Sequence, residues 1–216
     1  MSRGKPYRGR AITLKAPRKL PRILTVAETQ AVLDACTRLR DRFFFALMHE
    51  TGCRAGEVLG LRHEDIAAAE CEVSIVPREN ANGARAKSGA RTVPVGPELI
   101  RLYADYLHEE YGDLDSDYVF VNIWAEPKGQ AWSYQAAYDL VLRLRVRTGV
   151  DFDPHWLRHS AATRWLRDGV SIEVVSKLLG HSSVTTTSAT YGHLTVEDAR
   201  AALEKAGWLT GREVSW

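Results

Sequence analysis

Three cysteines in 216 residues, widely spaced and odd in number, cannot build a disulfide framework. Cys36, Cys53 and Cys71 form no Cys-x-x-Cys pair either, so no metal site is expected from them, and a reducing, cytoplasmic setting fits. Long apolar runs are also missing. The longest, around Phe43–Met48, is far too short to cross a bilayer, and no membrane partner is expected. The basic N-terminus has no apolar stretch behind it, so no secretory leader is expected. Its Arg-rich start imitates an organelle transit peptide, but Gly4, Pro6 and Gly9 oppose the amphipathic helix such a peptide needs.

Acidic residues are absent from positions 1–22, which hold eight basic ones: Arg3, Lys5, Arg8, Arg10, Lys15, Arg18, Lys19 and Arg22. The formal net charge of +2 therefore conceals a cationic arm on a body with 21 basic and 27 acidic residues. With 45% hydrophobic and 26% charged residues, that body is neither wholly disordered nor collagen-like. The length suits one domain plus an arm.

Local signals divide the chain. Residues 1–22 read as a flexible basic arm or interdomain linker, and 23–216 as the folded domain. Thr25-Val-Ala-Glu28 is a capping box that opens a helix through Val32, Leu33 and Cys36. A second helix spans about Leu39–Glu50, stopped by Gly52, and a short third runs from Arg54 to Leu61. The period then changes: Cys71–Val76 and Arg91–Val95 alternate as strands around a turn rich in Asn, Gly and Ala. Gly96-Pro97 opens a helix with Leu99, Tyr103, Tyr106 and Leu107 on one face. Tyr118–Val121 reads as a short strand, and 133–148 as a helix capped by Ser133. Four closely spaced helices follow. Asp153 caps the first and Gly169 ends it. Ser171 caps the second, with Ile172, Val175 and Leu179 inward, and Gly180 ends it. The third covers about Ser183–Tyr191, and the fourth lies between Thr195 and Gly207. The predicted class is α+β, mainly α-helical, with a small antiparallel sheet inserted among the helices.

Four clusters can carry chemistry, each with a plainer alternative. His155, Arg158 and His159 share one stripe of a helix, which suits either a phosphate-facing surface or an ordinary capped surface helix. A zinc pair at His155 and His159 lacks the acid of a His-Glu-x-x-His motif and a third ligand. Arg54 leaves a Gly turn at a helix start, where its fork and the backbone N–H groups favour an anion; Glu57, one turn on, either holds that fork or makes a surface pair. Lys87, between the two strands, is either solvent-exposed or a proton donor to a leaving oxygen. Tyr191, beyond His181, is either a packed aromatic or a nucleophile activated by nearby cations. Residues 171–191 also read as a helix-turn-helix, which would make the protein a DNA-binding regulator without catalysis.

Taken in order, these segments resemble the catalytic domain of the tyrosine recombinases, the family of phage integrases, Xer recombinases and related transposases. TGCRAGEVLGLRHEDI resembles the family's first Arg block, AKSGARTVPV its hairpin-lysine segment, HWLRHSAATRWL its His-x-x-Arg block and LLGHSSVTTT its second-histidine block; Tyr191-Gly-His193 resembles the nucleophile segment. The match runs from about residue 20 to 206. His181 and Tyr191 stand ten residues apart, where nine is more frequent in the family. Members generally carry an N-terminal helical domain, and here only the arm precedes the catalytic segment.

The resemblance implies a site-specific DNA recombinase of integrase or transposase type. In it Tyr191 attacks a backbone phosphate to form a 3′-phosphotyrosyl bond; Arg54, Arg158 and His181 stabilise the transition state; Lys87 protonates the 5′ oxygen; His155 handles the tyrosine proton; and Glu57 orients Arg54. No cofactor or metal is implied. The expected partners are double-stranded DNA, three further copies in a DNA-assembled tetramer, and accessory recombination proteins. The segment Val196–Trp216 would dock on a neighbouring subunit or close its own core. A type IB topoisomerase-like relaxing enzyme is the alternative within the same chemistry.

In this reading Arg8, Arg10, Lys15, Arg18, Lys19 and Arg22 track DNA phosphates. Deleting residues 1–22 is expected to weaken DNA binding and flatten its dependence on salt. An unchanged slope of log affinity against log salt concentration would remove the arm from the interface.

Overall fold

A computed structural model describes residues 22–86 and 89–180, together with 200, 203–205, 207 and 208. The expectations for Arg8, Arg10, Lys15, Arg18, Lys19, Lys87, His181 and Tyr191, and for a helix over 183–191, lie outside the described residues.

Helix α1 (Val26–Asp34) begins at the predicted capping box: Thr25 Oγ1 accepts from the Glu28 N–H, and the Glu28 carboxylate accepts from the Thr25 N–H. Helix α2 (Leu39–Thr51) is the centre of the molecule. Phe43, Phe44, Phe45, Ala46, Leu47 and Met48 are all buried, so this helix is covered on every side. Phe43 stacks on Tyr103, Tyr106 and Phe120, while Phe44 meets Phe120 and Trp132 edge to face. Each such ring contributes about 1.5–3 kcal/mol of burial. Glu110 closes the start of α2, accepting from the Leu39 and Arg40 N–H groups at 2.8 and 2.9 Å.

Gly52 ends α2 in the left-handed conformation, and helix α3 (Ala55–Leu59) follows at once. After a 3-10 turn (His63–Asp65) come strands β1 (Ile66–Ala67), β2 (Glu72–Ile75) and β3 (Arg91–Pro94), an antiparallel sheet in the order β1-β2-β3. Sequence reading missed β1, which is two residues long and carries no period. Between β2 and β3 the described residues around Asn80–Ala84 pack on the body. The Asn82 side-chain amide donates to Leu59 O and Trp132 O, Asn80 donates to Ala84 O, and Ala84 is fully buried.

Helix α4 (Pro97–Tyr106) widens into a π turn (Leu107–Tyr111), and Leu107, partly buried, packs on the same core as Leu99, Tyr103 and Tyr106. The strand predicted over Tyr118–Val121 is instead two isolated bridges, Arg62 with Tyr118 and Val121 with Ala131. Its backbone alternates partners, Val119 donating to Leu61 O and Phe120 accepting from Trp132 N–H, so neither side builds a ladder. Helices α5 (Tyr134–Thr148), α6 (Pro154–Arg167) and α7 (Ile172–Leu179) complete the described body. Of the three α7 residues expected inward, Val175 and Leu179 are buried, joined by Val174 and Leu178, whereas Ile172, the first residue of α7, is 66% exposed. The fold is α+β and mainly helical, with one small sheet among the described residues.

A second core joins β3, α6 and α7 through Val93, Ala161, Trp165, Val175 and Leu179. Leu203 is buried in it, and Trp208 packs on Trp165 and under the Arg164 guanidinium, 3.5 Å from the ring centre. These two residues of the C-terminal segment thus pack on their own chain. Among the described residues, no helix is long and apolar enough to cross a membrane.

A Cβ on Gly52 would lie 2.8 Å from Leu179 Cδ2, and its φ is +63°. Gly52→Ala is therefore expected to cost about 1–2 kcal/mol for the left-handed backbone and about 1–3 kcal/mol more for overpacking. Urea denaturation reads the sum; an unchanged midpoint would mean that the α2–α3 turn does not pack on α7.

Candidate active site

The site is built around one carboxylate. Glu57, in the first turn of α3, has a fully buried side chain. Its Oε2 accepts from the Arg54 N–H at 2.9 Å, closing the helix start, and its Oε1 accepts from Arg54 Nη1 at 3.1 Å. Arg91, at the start of β3, reaches the same group with Nη1 at 3.2 Å from Oε1 and Nη2 at 2.8 Å from Oε2. Arg158 Nη1, from α6, lies 3.9 Å from Oε2. Three guanidiniums from three elements thus face one negative charge, leaving a local surplus of positive charge.

The arginines are placed differently. The Arg54 side chain keeps 27% exposure, with Nη1 on Glu57, while that of Arg158 keeps 3%. The sequence suggested Arg158 as part of a surface stripe. It is instead a buried connector, its Nη1 donating to Gly52 O at 2.7 Å and its Nη2 to Leu179 O at 2.6 Å. Burial first, then the neighbouring Arg54 and Arg91 charges, pull its pKa down to about 10, against the pull of Glu57. It therefore stays charged near neutrality, held in place by backbone carbonyls at both ends of the site.

His155 is exposed on the first turn of α6, whose start is closed by Asp153 Oδ1 accepting from the His155 N–H. Its ring meets that of His159 edge to face, 4.7 Å between centres. Burial, then Arg158, holds the His155 pKa below the ordinary imidazole value, with Arg54 adding to the shift; burial, then His155, does the same for His159. Both rings are thus biased toward the neutral form, which can accept a proton. Among the described residues, no group of three or more His, Cys, Asp or Glu side chains is gathered as a metal-ligand set.

Arg54, Glu57, His155 and Arg158, all singled out from sequence, come together here. Arg22 does not join them: its guanidinium lies over Trp156 and within 4.0 Å of Glu28 and Asp151 carboxylates. Two neighbours were missed. Arg91 looked like the first residue of an alternating strand, with nothing to mark its partner Glu57. Tyr134 begins α5, and its hydroxyl occupies the space a Cβ on Gly56 would need; burial, then Glu57, pushes its pKa up. An aromatic one residue after a capping Ser carries no sequence signal of that kind.

Known proteins share this chain's pattern. The phage integrase family model matches residues 16–198. Transposase A from transposon Tn554 of Staphylococcus aureus is 40% identical over 202 residues, which are 92% of this chain and 56% of that protein. Tyrosine recombinase XerA of Thermococcus onnurineus is 35% identical over 199 residues, 91% of this chain and 67% of its own length. The chain thus spans little more than half of the transposase. Among solved structures, a XerA recombinase superposes with a TM-score of 0.65 at 26% identity, over 91% of this chain and 68% of that one. The Tn1549 transposon integrase in complex with transposon right end DNA superposes with a TM-score of 0.63 at 20% identity, over 89% and 68%.

The buried carboxylate can be tested without any substrate. Glu57→Gln keeps the shape but leaves the guanidiniums without a counter-charge, and is expected to cost about 3–5 kcal/mol of folding stability. Chemical denaturation measures it. A loss below about 1 kcal/mol, the range of an exposed pair, would mean that the cluster is not desolvated.

Proposed function

Because the chain belongs to the phage integrase family, we propose that it is the catalytic part of a site-specific DNA recombinase, cutting and rejoining DNA through a covalent 3′-phosphotyrosyl bond. The observation that carries this reading is the convergence of Arg54 and Arg158 on Glu57 beside a neutral-biased His155. A phosphodiester carries one negative charge, and its pentacoordinate transition state gathers more. Preformed donors around the non-bridging oxygens stabilise that change without reorganising.

In this mechanism Tyr191 attacks the phosphorus and the bond to the 5′ oxygen breaks. Arg54 and Arg158 donate to the non-bridging oxygens, joined by His181. Two sequence connections support the last assignment and that of Lys87. His181 follows Gly180, the residue after the Leu179 carbonyl that Arg158 grips. Lys87 lies between Arg85, whose carbonyl lines Gly56, and Arg91, which is paired with Glu57. From there Lys87 protonates the departing 5′ oxygen. His155 takes the tyrosine proton, and Glu57 fixes the Arg54 fork. The phosphotyrosyl bond keeps the energy of the phosphodiester, so rejoining needs only the reverse attack.

Residues 1–22 serve as the DNA-tracking arm, or as the linker to another DNA-gripping unit, and 23–216 as the catalytic domain. Double-stranded DNA is the partner, a reading supported by the DNA-bound Tn1549 integrase among the structural neighbours. Strand exchange between two duplexes needs four such sites, hence a homo-tetramer on DNA. Accessory recombination proteins and a cytoplasmic setting complete the proposal.

A suicide substrate nicked near the scissile phosphate tests it. Wild-type protein is expected to form an adduct that survives denaturant, and Tyr191→Phe none. An adduct that persists in Tyr191→Phe would move the nucleophile elsewhere. Arg54→Ala is expected to keep DNA binding and slow cleavage by about 2.7–4 kcal/mol, or about 100–1,000-fold.

A further inference from the structure

Arg91 uses its whole side chain inside the protein. Nε donates to Leu178 O at 2.6 Å, Nη1 and Nη2 pair with the two Glu57 oxygens, and Nη2 also lies 3.5 Å from Cys53 Sγ. Its side chain is 6% exposed, and all three of its nitrogens are bonded within the protein. Burial pushes the Cys53 thiol up, which keeps that neighbour protonated and leaves Glu57 as the counter-charge. One guanidinium therefore ties three pieces together: the start of β3, the first turn of α3, and the last turn of α7.

Each tied piece leads directly to a residue of the proposed chemistry. Lys87 stands four residues before Arg91, and His181 three residues after Leu178. The other end of the Lys87 segment is held as well. The Arg85 carbonyl lies 3.1 Å from where a Gly56 Cβ would be, and the Asn80–Asn82 network anchors the chain just before it. The described residues before and after Lys87 are thus held against α3, and Arg91 supplies the downstream fixing point. A bidentate fork with a third bond from Nε is geometry that Lys cannot reproduce.

We propose that Arg91 is a positioning residue that sets the reach of Lys87 to the leaving oxygen, by locking β3 to Glu57 and to the end of α7. This rests on the recombinase reading above. Proton transfer is the step it serves. As the Tyr191 oxygen bonds to phosphorus and the bond to the 5′ oxygen breaks, the Lys87 ammonium gives its proton to that oxygen and a 5′-hydroxyl leaves. If the 5′ bridging oxygen is replaced by sulfur, the thiolate leaves without a proton, and a misplaced Lys87 no longer matters.

Cleavage of ordinary and 5′-bridging phosphorothiolate suicide substrates by the full chain separates the possibilities. Arg91→Lys is expected to slow cleavage of the ordinary substrate by about 100-fold or more, the usual contribution of a positioned proton donor, and to return within about 10-fold of wild type on the sulfur substrate. Lys87→Ala is expected to show the same rescue. If Lys87→Ala is rescued and Arg91→Lys, folded by its melting profile, is not, Arg91 does not act through Lys87 and the proposal falls. If Lys87→Ala itself is not rescued, Lys87 is not the proton donor and the proposal falls, while the recombinase reading is decided separately by the Tyr191 adduct. Should Arg91→Lys not fold, Arg91→Gln, which keeps amide donors for Glu57 and Leu178, is read by the same criterion.

Discussion

The site depends on keeping the Glu57 carboxylate buried and fully bonded. Moving a carboxylate or a guanidinium out of water costs several kcal/mol per ion, and such a pair is tolerated only where every lone pair and proton is answered. Here both Glu57 oxygens have short partners, and Arg158 is answered by Gly52 O and Leu179 O. Apolar replacement of buried ion pairs is often neutral or stabilising, so stability alone is a weak reason for this cluster. What the arrangement provides is fixed position: Arg54 from α3 and Arg158 from α6 are held in one place before any ligand arrives, and Arg91 of β3 braces them through Glu57.

That aim is only as firm as the helix that carries it. α2 delivers the chain to Gly52 and Arg54, and its burial on every side leaves it no freedom to shift without breaking the Phe43–Tyr103–Phe120 stack. Gly52 sits where α2 ends against Ala161, Trp165 and Leu179, so the same contact that closes the second core sets the distance between Arg54 and Arg158. Packing and site geometry are one constraint at this point. The polar residues buried on α2 follow the same pattern. Thr51 Oγ1 returns to Leu47 O and accepts from Cys53 N–H, steadying the turn that Arg54 leaves.

Features whose cause lies within a few residues were legible in the sequence. The capping box at Thr25, the stops at Gly52 and Gly180, the Asp153 cap and the Ser133 cap all read correctly because neighbours alone decide them. Arg54, Glu57, His155 and Arg158 were legible as residue types in a recognisable order. What was hidden depends on distant partners. The burial of Arg158 follows from carbonyls 106 and 21 residues away, and the role of Arg91 from Glu57, 34 residues earlier. Tyr118–Val121 had the composition of a strand but finds a different neighbour for each bond, which no local pattern reveals. Ile172 was misjudged because a first-turn residue can lie outside the packed face that the later turns define.

The surplus of charge gives these pieces a direction. In the free protein, burial and two neighbouring cations pull Arg158 down to about 10, which means that its positive charge is held against resistance. An anion in front of Arg54 and Arg158 would relieve that resistance, and the relief grows as the anion gathers charge. A phosphate moving toward its transition state is such an anion, whereas a neutral ligand is not. The body as a whole has more acids than bases, so it offers little general attraction to a polyanion, and the acid-free first 22 residues carry that task in the proposed mechanism. Long-range attraction and short-range stabilisation are thereby assigned to different parts of the chain. The first weakens with salt. The second, buried around Glu57, is largely shielded from it.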